Sequence, residues 1–178
     1  MSRIVIGIVL TLLPGAAQGQ EPKNAPKWVK SVKAPGLELR YVDFKWDEAA
    51  FDALEKGGDH PAARRSWVLA RLMLPLEPLK WNGKTIPVAS SLLILNPARA
   101  GAGPTLEIRY VDMREVFTKM NVIAEPPEGP TYGKAPAVFE RVSAVAPRLE
   151  VTVHEKERAL EVRVHYGDRA TSVTLDRY

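Results

Sequence analysis

Three histidines and no cysteine leave His60, His154 and His165 as the side chains best suited to move protons near neutral pH. Asp59-His60 follows Gly57-Gly58 and precedes Pro61, a loop setting that could present an acid and a base together. A serine-type hydrolase also needs a nucleophile brought to the same place. No serine sits in a Gly-x-Ser-x-Gly elbow, and Ser90-Ser91 opens a run that reads as a buried strand. Turn formation is the plainer role for Asp59-His60, and no residue is assigned to catalysis; a hydrolase centred there stands as the alternative. His154 and His165 lie beside Glu150 and Glu161 in alternating segments, which invites a metal reading. A turn near Lys156-Glu157 would set His154 opposite Ala159 and His165 opposite Arg148, about 20 Å apart at roughly 3.3 Å per residue. Zinc ligands converge to about 2 Å from one ion, so no metal site is expected here. Glu125 and Glu128 flank Pro126-Pro127, where exposure leaves a carboxyl its ordinary acidity; a general acid needs burial or a like-charged neighbour.

Binding is better served. Residues 121–136 read as a long irregular loop carrying four prolines from Pro126 to Pro136, which lowers the entropy lost when a ligand docks. Within it Tyr132 offers an amphipathic ring and Lys134 a cation; Trp81, beside the Asn82-Gly83 turn, could stack on a sugar or peptide. These three are the expected ligand-binding residues. No glycine-rich phosphate loop or dinucleotide fingerprint appears, so no cofactor is expected.

The elements that would hold such residues follow from hydrophobic period. Leu37-Glu38-Leu39-Arg40, Leu106-Glu107-Ile108-Arg109, Leu149-Glu150-Val151-Thr152 and Leu160-Glu161-Val162-Arg163 each alternate apolar with polar, the pattern of a strand buried on one side. Such ribbons call for an antiparallel sheet over one core. Asp47 fits as the N-cap of a helix through Lys56 with Ala50, Phe51 and Leu54 on one face, closed by Gly57-Gly58. Strands are expected over Ser66–Leu74, Ser91–Leu95 (apolar throughout, hence covered on both faces) and Thr105–Val111. Asn82-Gly83 predicts a type I′ hairpin, and its flanking prolines place that hairpin at an edge. Further short helices are expected over 113–120 and from Pro136 to about Val145. At the C-terminus a meander pairs Leu149 with Val164, Val151 with Val162 and Val153 with Leu160, then turns at Gly167-Asp168 into Thr171–Leu175. The octets Leu37–Phe44 and Leu106–Met113 match at six of eight places, which raises an internal duplication.

Asn82-Gly83-Lys84-Thr85-Ile86-Pro87, with Leu92-Leu93-Ile94-Leu95-Asn96-Pro97 after it, resembles a hairpin found in a family of exported bacterial β-domains of unknown function. The resemblance covers about a tenth of the chain, and Ala89-Ser90 departs from the family's glycine-plus-small-or-aromatic pair. It implies a β-sandwich and no established catalytic residues.

Arg3, the apolar stretch Ile4–Leu13 and the small residues Gly15-Ala16-Ala17-Gln18-Gly19 read as a signal peptide over residues 1–19, too short to span a bilayer. Residues 20–36 read as a Pro- and Lys-rich tether whose Trp28 and Val29 could dock on the domain, and 37–178 as that one domain. The net charge of +4 resides in the leader and tether; from Leu37 on, 20 basic residues meet 20 acidic ones. A neutral fold lacks the basic face that nucleic acid requires. The reading is an exported, mainly β, antiparallel sandwich-like single domain with two or three short helices. Its expected role is a non-catalytic module that binds an envelope glycan, peptide or protein, in the periplasm or outside the cell. A structural partner offering an edge strand is the other alternative.

Overall fold

The computed structural model describes residues 30–74, 77–99, 101–111 and 129–178. The leader, Trp28-Val29 and the helix expected over 113–120 lie outside them. In chain order the elements are β1 (Lys30–Ala34), β2 (Leu37–Tyr41), α1 (Glu48–Lys56), a 3₁₀ turn (Pro61–Arg64), β3 (Trp67–Met73), β4 (Leu79–Trp81), β5 (Lys84–Ile86), β6 (Ser90–Asn96), β7 (Thr105–Tyr110), β8 (Thr131–Pro136), β9 (Glu140–Lys156) and β10 (Ala159–Asp176). The strands form two antiparallel sheets, ordered β1-β2-β3-β6-β7-β8 and β5-β4-β10-β9. This is the sandwich that the alternation predicts. The sheets meet along both flanks, β1 lying beside β9 and β5 beside β8.

The core fills the space between them. Leu37, Leu39, Trp67, Leu72, Leu93, Leu95, Leu106 and Ile108 from one sheet meet Leu149, Val151, Leu160, Val162, Val164, Val173 and Leu175 from the other. β6 is buried on both faces, as its apolar run requires: Leu93 and Leu95 join this core, while Leu92 and Ile94 join Val68 and Val111 behind the sheet. The hairpin β4–β5 turns at Asn82 (φ 49°) and Gly83 (φ 75°), both left-handed as a type I′ turn demands. It sits at the sheet edge, and the Trp81 ring lies so close over Gly133 of β8 that a Cβ there would collide with it.

Four sequence expectations are corrected. The helix expected from Pro136 to Val145 is instead the start of β9, where Glu140 pairs with Ala170 and Arg141 with Arg169. Helix-favouring residues yield there to the ladder offered by β10. The irregular stretch expected to run through Pro136 ends in a strand, β8, paired with β7. Gly167-Asp168 is not a turn, because β10 continues through it to Asp176. Gly167 (φ 65°) forms an irregularity in the ladder, and its missing Cβ admits the Trp46 ring. The β9–β10 register is displaced by two residues: Val151 faces Val164, Val153 faces Val162 and Glu150 faces His165. An even slip keeps every side chain on its expected face, so the dry face is as predicted while each partner changes. In addition, Lys30–Ala34, within the segment read as a tether, pairs with β2 in register from Lys30↔Tyr41 to Ala34↔Leu37.

Candidate functional site: an aromatic groove beside the helix

The helix that frames the site begins where the sequence places it. Asp47 is extended, and its Oδ1 accepts a hydrogen bond from the Ala50 amide at 3.0 Å. Glu48 occupies the first turn, and Lys56 in the last turn pairs with Asp52 at 2.6 Å. Arg169 of β10, itself buried, reaches Asp52 (3.7 Å), Glu55 (3.9 Å) and Asp168 (3.1 Å), tying the helix to the sheet. Phe51 then settles among rings. Its centroid lies 5.5 Å from Trp46, 4.9 Å from Phe139, 6.1 Å from Tyr166 and 6.4 Å from Trp67, the spacings at which tilted and edge-on aromatic pairs attract.

Tyr166 is the pivot of this cluster. Its ring meets Trp46 edge-on at 4.6 Å and Phe44 at 4.9 Å. Its hydroxyl donates to the Lys45 carbonyl and accepts from the Asp47 amide at 3.1 Å, clamping the segment that leads into α1. Burial pushes the phenol up to about 12, against the pull of the Asp47 amide, so the hydroxyl stays protonated and able to donate.

Beside this clamp opens a groove of about 690 Å³. Phe44, Ala50, Trp67 and Tyr166 form its apolar side; Lys45, His60, Arg64 and Arg65 border it, with the Asp47 cap among them. Its volume falls within the range of roughly 300–1,000 Å³ usual for small-ligand sites. Of the expected Asp59-His60 pair, the groove takes only His60. Asp59 is exposed and holds Arg64 at 3.1 Å instead.

A second, polar groove of about 450 Å³ lies on the outer side of the six-stranded sheet, and there Lys134 is exposed. It borders a buried network in which Glu107 accepts from Arg109 Nε (2.7 Å), Thr131 Oγ1 (2.7 Å) and Asn96 Nδ2 (3.0 Å), while Ser66 Oγ donates to Asn96 (2.7 Å). Burial alone would raise the Glu107 carboxyl, but the donors from Arg109, Thr131 and Asn96 outweigh it and hold it below the ordinary range. The other two expected contact residues face inward. Trp81 is 4% exposed, its ring spent on Gly133, so it offers no face to a sugar. Tyr132 is half-buried, packs against the main core and meets Tyr110 edge-on at 6.4 Å.

The histidines on the wet face of β9 and β10 do not converge. His154 faces Glu161 and His165 faces Glu150, four ladder positions away, which is about 13 Å rather than 20 Å. Among the described residues no three acidic or histidine side chains are grouped as a metal site. His165 instead bonds the Ala144 carbonyl (3.1 Å), and His154 the Thr152 hydroxyl (3.2 Å).

Sequence reasoning missed the groove because its rings are scattered from Phe44 to Tyr166. Two signals mark it: the alternation Phe44-Lys45-Trp46 running straight into the Asp47 cap, and Tyr166 abutting a glycine inside a strand. No protein-family model, curated protein or solved structure matches this chain.

Proposed function

We propose that this protein is an exported, non-catalytic binding module of the periplasm or cell surface, and that its ligand sits in the aromatic groove beside α1. One observation carries the reading: the groove is roomy, apolar along one side and rigidly framed, because Tyr166 and the Asp47 cap fix the segment from Phe44 to Ala50. Preorganisation of this kind lowers the ordering cost of capture. Its lining supplies cation and ring contacts from Lys45, Arg64, Arg65, Phe44 and Tyr166. Export rests on the leader-like Arg3 and Ile4–Leu13, and the hairpin resemblance at Asn82–Pro97 points the same way. Among the described residues no helix is long and apolar enough to cross a membrane. The ligand is drawn from the envelope, as a glycan fragment, a peptide or a small molecule.

Amide and indole resonances of the labelled protein, titrated with cell-wall glycan fragments and envelope peptides, test this. Shifts gathered on Phe44, Ala50, Trp67 and Tyr166 support the groove; shifts confined to the Lys134 surface remove it. A hydrolase is the second reading, favoured by the presence of His60 at the groove border. Turnover of an ester or glycoside panel that His60→Ala abolishes would establish it in place of the first.

A further inference from the structure

We infer that the groove takes a small amphipathic anion: a carboxylate or sulfonate joined to a flat aromatic or branched aliphatic body. This rests on the groove being the binding site and adds the charge and shape of what it holds. The apolar wall of Phe44, Trp67, Tyr166 and Ala50 asks for a hydrophobic body. The border asks for a negative head. Lys45 and Arg65 make no ion pair or side-chain hydrogen bond among the described residues, although both stand at this one groove. Arg64 is partly occupied by Asp59 at 3.1 Å. The acid inside the border, Asp47, already receives the Ala50 amide on Oδ1, so its charge is engaged by the helix start.

Lys80, Lys84, Arg99, Lys134 and Arg158 likewise make no ion pair among the described residues, so what distinguishes Lys45 and Arg65 is their place beside the apolar wall of Phe44, Trp67 and Tyr166. Arg40, Lys56, Arg109, Arg148, Lys156, Arg163, Arg169 and Arg177 each lie within 4.0 Å of a carboxylate oxygen. From Leu37 on, the chain carries as many acids as bases, yet among the described residues lining this mouth Asp47 is the one acid against Lys45, Arg64 and Arg65. A neutral sugar would call for amides and carboxylates that bracket its hydroxyls, and the border has no asparagine or glutamine among the described residues. Guanidinium and ammonium groups bordering an aromatic wall suit an organic acid instead.

A matched pair of fluorescent probes tests this on the full mature chain: 8-anilino-1-naphthalenesulfonate and its uncharged analogue N-phenyl-1-naphthylamine. The sulfonate should bind at least about tenfold tighter, the gain usual for hydrogen bonds to a charged group. Its affinity should weaken as salt is raised, and its shifts should map to Ala50 and Tyr166. The double variant Lys45→Ala/Arg65→Ala, altering two exposed side chains, should bring the ratio of the two affinities close to one. Lys134→Ala, at the other groove, should leave the ratio as it was. Equal affinity of both probes for the native chain, with shifts still at Ala50, would overturn the anion assignment and leave the groove as a binding site. Binding of neither probe, or shifts moved to the Lys134 surface, would overturn both.

Discussion

Two strands of this sheet carry almost the same words and have different fates. Leu37-Glu38-Leu39-Arg40-Tyr41 in β2 and Leu106-Glu107-Ile108-Arg109-Tyr110 in β7 both turn their leucine or isoleucine side chains into the core. Both close an ion pair within the strand, Glu38 to Arg40 Nε at 2.8 Å and Glu107 to Arg109 Nε at 2.7 Å. The surroundings then diverge. The Glu38 side chain keeps 20% of its surface, and its further contacts are Lys33 at 3.6 Å and the Ser31 hydroxyl at 3.5 Å, both on the edge strand β1. Glu107 keeps 6%, with Thr131 of the opposite edge strand β8 and Asn96 of β6 completing its shell. A dipeptide pairing is thus set by sequence, while its energetic weight is set by the strands that arrive on either side.

The comparison can be broken most forcefully at Glu107. Glu107→Ala takes the shared acceptor from half-buried Arg109, from Asn96 and from Thr131, which should cost about 1–3 kcal/mol in chemical denaturation. A loss as small as that at an exposed pair would mean that β7 and β2 are equivalent after all. Acid sharpens the contrast next. The Glu107 carboxyl is held below its ordinary value of 4.5 in the fold, so its stabilisation is fully present above that value and disappears as pH falls through the lowered one. Unfolding midpoints followed downward from pH 5 should therefore drop in the native chain. Glu107→Gln, which cannot titrate, should start lower and decline less steeply. The smallest effect belongs to Glu38→Ala, which should leave the denaturation midpoint within the scatter of repeated measurements, because an open ion pair is screened by water. A marked loss there would show that β1 depends on the Glu38 contact with Lys33.

What the residues disclose by themselves follows the same division. The alternation at Val151, Val162 and Val164 reveals which faces are dry, since burial depends on the parity of position alone. It is silent about slips of two, which preserve parity, and the hairpin accordingly turns at Glu157-Arg158, one residue later than Lys156-Glu157. Phe139, Val142 and Val145 carry a helical spacing, yet Val145 is 62% exposed in a strand, because pairing with β10 outweighs local preference. Gly167 has the look of a turn and serves as the berth of Trp46, a role that becomes visible only when a ring from 121 residues earlier in the chain arrives. The groove is of that kind throughout. Its cap at Asp47 can be read locally, while the meeting of Phe44, Trp67 and Tyr166 depends on how the strands are threaded.

The flanks, where β1 runs beside β9 and β5 beside β8, have a bearing on how the molecule behaves in a crowd. Bare strand rims are templates on which neighbouring chains polymerise. Here a stretch of each rim lies against another rim of the same molecule, much as two edges of a cuff are held by one button. Along those stretches, recruiting a foreign strand would first require unbuttoning the seam.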